Sequence, residues 1–125
     1  MAKKILIIDD DKIFSKILRD GLVAGGQGGY EVFAAFDGAQ GFEIAEREKP
    51  NLIMLDLVMP DMGGIDFLKK LRAEDWGIDI PVIVETQLPD MKEISQGVEL
   101  GVHGYFIKSD YSIDAILRQV GDVFK

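Results

Sequence analysis

Four consecutive apolar side chains, Leu52, Ile53, Met54 and Leu55, run directly into Asp56, and Pro60, Gly63 and Gly64 then turn the chain. A strand with one wet face alternates apolar and polar residues. An unbroken apolar run reads instead as a strand buried on both faces. Such a strand needs a covering layer on each side of its sheet. The same kind of run occurs at Ile5, Leu6, Ile7 and Ile8, and it too ends in carboxylates, Asp9, Asp10 and Asp11. Two doubly buried strands that each deliver acids to one edge narrow the choice of folds sharply.

The remainder of the chain alternates in the same manner. Residues 12–23 carry Phe14, Ile17, Leu18 and Leu22 at helical spacing, and Gly25 to Gly29 breaks that segment. A strand is expected over 30–35 and a helix over 38–49, ended by Pro50. The strand of 52–56 precedes a helix over 65–74, with Ile65, Leu68, Leu71 and Arg72 on one side. A strand over 81–86 starts at Pro81, where no ladder donor is needed. A helix over 90–100 carries Met91, Ile94 and Val98. A strand over 105–108 and a helix over 112–124 close the sequence, the latter with Ile113, Ile116, Leu117, Val120 and Phe124 as its stripe. Five strand–helix units in regular alternation imply an α/β fold: a five-stranded parallel sheet with helices on both faces, flavodoxin-like, (βα)5. In order 2-1-3-4-5, strands one and three flank the point where strand order reverses. Ligands in such sheets bind outside the carboxyl ends of the strands at that point.

Composition excludes several functions. The 125 residues suit one domain, expected to occupy 1–125 with no output domain attached. Lys and Arg number 14 against 22 Asp and Glu, a net charge of −8. A nucleic-acid or anionic-membrane surface needs a basic footprint, so neither is an expected partner of this domain. The absence of cysteine rules out disulfides, thiolate zinc sites and cysteine nucleophiles, and a reducing cytoplasm is the simplest location. The 5–8 run is too short for a signal peptide or a membrane span. Gly25 to Gly29 follows a helix and lacks a Gly-Lys-Ser/Thr ending, so it is a connection and not a phosphate loop. His103, the only histidine, sits between glycine-bearing turns and reads as a surface residue.

The residues just past the strands carry the chemistry. Strand one is followed by Asp9, Asp10 and Asp11, strand three ends at Asp56, strand four at Thr86 and strand five at Lys108. Acids after a single strand are often only a solvated turn or a helix cap. Carboxylates converging from adjacent strands repel one another, so either their pKa values rise or a cation sits among them. An all-oxygen donor set suits a hard divalent ion, Mg²⁺ or with less preference Mn²⁺. With a metal there, an Asp carboxylate can accept a phosphoryl group as an acyl phosphate. The group spreads negative charge over three oxygens, which the metal, Lys108 and the Thr86 hydroxyl would share. Asp56, on the central strand, is the nucleophile of that scheme.

These pieces, IIDDD at 7–11, LDLVMPDMGG at 55–64, PVIVET at 81–86 and GYFIK at 104–108, resemble the receiver domain of two-component response regulators along essentially the whole chain. The resemblance implies that Asp56 takes a phosphoryl group from a phosphohistidine on a sensor histidine kinase or phosphotransfer protein. It implies that Asp10 binds Mg²⁺ directly and Asp9 through water, with Asp56 and the Val58 carbonyl completing the protein ligands. It implies that Thr86 and Tyr105 form a switch pair, and that a downstream protein reads the face made by helix four, strand five and helix five. Such a domain is not an enzyme on other substrates; it catalyses only its own phosphorylation and slow dephosphorylation.

The sequence departs from the family pattern at three positions. Ser109 replaces the proline that usually follows the lysine, where a cis bond is common; before Ser a cis bond costs about 3–4 kcal/mol. Glu85 interrupts a strand that should be apolar, and a buried unpaired carboxylate is costly, so it is expected to reach solvent or a partner such as Lys108. Gln87 stands where a small residue is usual and narrows access to Asp56. Val58 and Leu88 are apolar beside the path of hydrolytic water, which predicts a long-lived phosphoryl group. Ile13, Phe14 and Ile17 cannot all point inward, so an apolar patch beside the acids is expected to dock the kinase. A pseudo-receiver that takes no phosphate is the alternative function. A phosphatase is disfavoured because Val58 occupies the position of its acid catalyst, and a flavin or dinucleotide carrier because no glycine fingerprint follows strand one.

Overall fold

The computed structural model describes residues 2–25, 29–59, 62–87 and 90–125. Five strands, β1 (Lys3–Ile8), β2 (Tyr30–Ala35), β3 (Leu52–Asp56), β4 (Val82–Thr86) and β5 (Gly104–Ile107), alternate with five helices. These are α1 (Lys12–Gly25), α2 (Gly38–Glu48), α3 (Gly64–Arg72), α4 (Met91–Glu99) and α5 (Ile113–Val123). The strands pair only in parallel, in the order β2-β1-β3-β4-β5, as the alternation requires. Of the expected glycine-rich connection, residues 26–28 lie outside the described residues, as do Pro60 and Leu88.

The unbroken apolar runs serve two cores at once. Successive strand side chains point to opposite faces. Leu6, Ile8, Ile53, Leu55, Val82 and Val84 therefore meet Phe67, Leu68 and Leu71 of α3 on one side. Ile5, Ile7, Leu52, Met54 and Ile83 meet Phe14, Leu18 and Leu22 of α1 and Ile116 and Val120 of α5 on the other. Each such fully buried side chain contributes about 1.5–3 kcal/mol. The α3 face differs from its expected stripe: Phe67 is fully buried there, while Arg72 sends its guanidinium to five backbone carbonyls, those of Gly77, Ile78, Ile80, Leu100 and Gly101. The α4 apolar residues are not core either. Met91 and Val98 are exposed, and Gly97 is the helix's buried residue.

Local signals set the helix starts. Asp37, Asp90 and Ser112 each accept a backbone N–H from the first turn of α2, α4 and α5. Asp11 does the same for α1, accepting from the N–H groups of Ile13 and Phe14. Of the three successive acids after β1, the third is thus a cap, which leaves Asp9 and Asp10 for the sheet edge. Gly64 is required for closeness: a Cβ there would stand 2.5 Å from the Leu57 Cα and 2.7 Å from the Asp56 carbonyl oxygen. The start of α3 therefore packs directly against the end of β3.

Candidate functional site

The switch point between β1 and β3 brings the expected acids together. One ligand oxygen from each of Asp9, Asp10 and Asp56 lies within 4.8 Å of the others. Asp9 and Asp56 are buried and Asp10 is exposed. Asp56, only 5% exposed, spends its two oxygens differently. Oδ1 accepts the Val58 N–H at 3.0 Å, and Oδ2 accepts from the Lys108 ammonium at 3.2 Å. Asp9 Oδ1 accepts the Asp11 N–H at 2.9 Å. Its Oδ2 makes the closer approach to Lys108, 2.7 Å, as an ion pair without an aligned hydrogen bond. Lys108 therefore bridges both buried carboxylates. A cavity of about 390 Å³, lined by Asp10, Asp11, Asp56, Val58, Gln87 and Lys108, opens above them. A larger hollow of about 540 Å³ beside Arg72 lacks this convergence, since that guanidinium is spent on carbonyls.

The position of Lys108 differs from the sequence expectation. It is not the last residue of β5 but the first of a short 3-10 turn, Lys108–Asp110. The bond to Ser109 is trans. Thr86 ends β4 and is buried, 3% exposed. Tyr105 lies on β5 with its side chain half out of the protein. Val58 and Gln87 are exposed at the cavity rim. His103 is exposed as expected.

Among the described residues Glu85 reaches neither solvent nor an ion pair with Lys108, and this corrects the expectation for it. Alternation along β4 puts it on the same face as Ile83, opposite Asp56 on β3 and Phe106 on β5. It is fully buried, and neither carboxyl oxygen has a hydrogen bond of standard geometry. Burial, then the adjacent Asp9 carboxylate, pushes its pKa well above the ordinary carboxylate range. Lys108 opposes that rise without cancelling it. A buried charge this poorly compensated neutralises by taking a proton.

The neighbouring carboxyls divide the remaining charge. Burial also works against ionisation of Asp9, but the Glu85 carboxyl, the Lys108 ammonium and the Asp11 N–H together hold it below the usual range. Asp56 is pushed up to about 6, by burial first; the Val58 N–H pulls it down and the Asp9 charge raises it again. For Lys108, burial favours the neutral amine, but Asp9 and Asp56 outweigh it and raise the pKa. The edge thus holds a cation, an ionised Asp9 and an Asp56 that gains strongly from added positive charge. The donors are all oxygens and their spacing fits a hard divalent ion such as Mg²⁺.

Sequence reasoning missed the aromatic wall of the site. The Lys108 ammonium lies 4.9 Å from the centre of the Phe14 ring. Tyr111 meets that ring edge-on at 5.1 Å, and Phe106 lies 6.4 Å away. Helical spacing marked Phe14 as apolar but carried no signal that its ring faces the β5–α5 turn.

An acidic cluster that could hold a metal ion, bridged by a lysine, thus stands at the reversal point of a doubly wound sheet. A family model for the response regulator receiver domain matches residues 5–120, and the chain belongs to that family, the receivers of two-component systems. Receiver domains generally bind Mg²⁺ at such a cluster of acids. The chain is similar to the probable transcriptional regulator ycf27 of Porphyridium aerugineum, 38% identical over 120 residues that cover 94% of this chain and 48% of that protein. It is similar to the alkaline phosphatase synthesis transcriptional regulatory protein PhoP of Bacillus subtilis, 35% identical over 125 residues, 95% and 50% of the two chains. The chain spans about half the length of these curated relatives. Among solved structures, the Francisella response regulator 1452 receiver domain is 28% identical with a TM-score of 0.85, covering 98% of this chain and 96% of that one. The chemotaxis protein CheY4 of Vibrio cholerae, 24% identical with a TM-score of 0.89 over 98% and 99%, shares the fold.

Proposed function

We propose that residues 1–125 form one phospho-accepting receiver domain and that Asp56 is the acceptor. The observation that carries this reading is Asp56 itself. It is a buried carboxylate at the end of the central strand, 3.2 Å from the Lys108 ammonium, with Asp9 and Asp10 oxygens beside it. An Asp56 oxygen attacks phosphorus as the phosphorus–nitrogen bond to the donor imidazole breaks, and the electron pair leaves with the imidazole. Lys108 and the Thr86 hydroxyl take two of the phosphoryl oxygens. Asp10, Asp56 and the Val58 carbonyl would hold Mg²⁺ directly, with Asp9 behind a water. The ion would supply charge neutralisation at the third oxygen. The chain is no enzyme toward other substrates; it carries out this transfer on itself.

Thr86 and Tyr105 act as the switch. The hydroxyl follows the phosphoryl group and the half-exposed ring of Tyr105 turns inward, which alters the α4–β5–α5 face for a downstream protein. The exposed Met91 and Val98 give that face apolar area to offer. Upstream, the exposed Ile13 (76%) and Ile17 (45%) form the expected patch on α1 beside the acids, while Phe14 is turned inward. That patch suits the helices of a sensor histidine kinase or phosphotransfer protein. Ile13→Asp is expected to slow transfer from the cognate kinase tenfold or more, about 1.4 kcal/mol, without changing Mg²⁺ affinity; unchanged transfer removes the docking role. The test of the whole reading is incubation with Mg²⁺ and a small acyl-phosphate donor, followed by mass-spectrometric mapping. Label on Asp56 that disappears in Asp56→Asn supports it. Absence of label with every donor, kinase included, leaves the pseudo-receiver. The exposed Val58 and Gln87 at the rim support a slow loss of the group, and rapid loss in the isolated protein would remove that element.

A further inference from the structure

We infer that Phe14 is a positioning residue for Lys108: its ring face holds the ammonium at Asp56 by a contact that does not depend on the carboxylates. The inference rests on the receiver reading for its functional consequence, though not for its geometry.

Among the described residues Lys108 Nζ has three anchors, Asp9 Oδ2 at 2.7 Å, Asp56 Oδ2 at 3.2 Å and the Phe14 ring at 4.9 Å. They differ in permanence. Asp9 and Asp56 belong to the oxygen cluster that a cation would claim, and Asp56 ceases to be a free carboxylate once it is phosphorylated. A cation that takes these oxygens competes with the lysine for them. The ring has no competing partner of that kind. Its π face attracts an ammonium whatever the state of the acids, and more strongly in a desolvated setting. Lys108 has a side-chain exposure of 10%, so the contact is largely shielded from water.

The ring is also held from both ends. Phe14 is 8% exposed, and its N–H is fixed by the Asp11 cap at the start of α1. Tyr111 meets it edge-on with an interplanar angle of 81°. Tyr111 follows immediately on the 3-10 turn that begins at Lys108. One loop therefore supplies both the lysine and the aromatic edge that braces its platform. Ser109 offers no ring to restrict the backbone of this loop. The Phe14–Tyr111 contact ties it to α1 instead. A leucine would fill much of the same space but would present no negative face to the ammonium.

The direct reading is the NMR shift of the Lys108 ε-methylene protons, assigned by their loss in Lys108→Arg. In the wild-type protein they are expected upfield of those of the exposed Lys16 and Lys92, because they lie over a ring, and to stay there when Mg²⁺ is added to saturation. Phe14→Leu abolishes the upfield shift and Phe14→Tyr keeps it. With a small acyl-phosphate donor, the rate of Asp56 labelling falls about fivefold in Phe14→Leu, the scale of one cation–π contact, and recovers in Phe14→Tyr. Calorimetric Mg²⁺ affinity stays within about twofold, below the resolution of one weak contact. A purely packing role would lower stability without the shift and without rescue by Tyr. If Phe14→Leu does not fold, Tyr111→Leu takes its place and should weaken both readouts in parallel. An upfield shift that survives Phe14→Leu, or that vanishes from the wild type on adding Mg²⁺, overturns the inference. So does labelling that is unchanged in a Phe14→Leu protein that has lost the shift. If the wild type takes no label, the receiver reading fails, and the shift with and without Mg²⁺ still decides whether Phe14 holds Lys108.

Discussion

Replacing Asp56 with Asn should make this protein more stable at neutral pH, by an amount that depends on pH in a defined way. The folded structure raises the Asp56 pKa from 3.8 to about 6, mainly by burial and then by the Asp9 charge. Each unit is worth about 1.4 kcal/mol, so ionised Asp56 penalises the metal-free fold by about 3 kcal/mol. The sign follows from linkage. A group whose folded pKa is raised leaves stability intact below its unfolded pKa. That stability is lost as pH rises through the folded value. Wild-type stability should therefore fall between about pH 4 and pH 7 on account of this group, and Asn, which does not titrate, escapes the fall. Against the gain, the Asn amide can still accept the Val58 N–H but turns an NH₂ toward Lys108. That forfeits a charge-assisted bond at a cost of about 1 kcal/mol. The net expectation is a variant about 2 kcal/mol more stable at pH 7.5 and no more stable than wild type near pH 4. The assay is urea unfolding of both proteins in chelator across that range. With an m-value of about 1–1.5 kcal/mol per molar, the midpoint should move by roughly 1.5 M at the upper end. Comparing the pair cancels the other titrating groups. A difference that does not vary with pH, or an Asn variant less stable at pH 7.5, would refute the electrostatic account of the site.

Three other outcomes follow from the same geometry. Mg²⁺ should raise the melting temperature of the wild type, by about 2.7 kcal/mol of stabilisation at a hundredfold excess over Kd; Asp10→Asn and Asp56→Asn should each lose most of that response in a thermal scan. Glu85→Gln should gain stability relative to the wild type as pH rises, because the raised Glu85 pKa makes its ionisation in the fold costly while Gln does not titrate; a difference in urea unfolding that does not move with pH would refute this. Gly64→Ala should destabilise by roughly 1–3 kcal/mol in the same assay, since its methyl meets backbone at Leu57 and Asp56 and nothing flexible can yield.

The site illustrates how buried acids coexist. Asp9 and Asp56 pair with one ammonium and Glu85 lies within its field, and one cation cannot neutralise three carboxylates. The protein resolves this by environment. Asp9 stays ionised against Lys108 and the Asp11 N–H, Glu85 keeps its proton, and Asp56 lies between them. A carboxyl so placed has the most to gain from an added cation, which offsets its penalised charge.

The residues themselves determined the architecture. The apolar runs at 5–8 and 52–55 demand a sheet covered on both faces, and strand–helix alternation makes it parallel. Each strand's carboxyl end then falls on one edge, so Asp9, Asp10, Asp56 and Thr86 were legible there as a group. These properties follow from periodicity and connectivity, which are local. What the tertiary structure decided depends on distances between segments far apart in the chain. Lys108 begins a turn instead of ending β5, so it bridges Asp9 and Asp56 and approaches Asp9 more closely. Glu85 is sealed between β3 and β5, because alternation alone says which face it takes and not what covers that face. Phe14 has the spacing of any helical core residue, and only the folded β5–α5 turn places an ammonium over its ring.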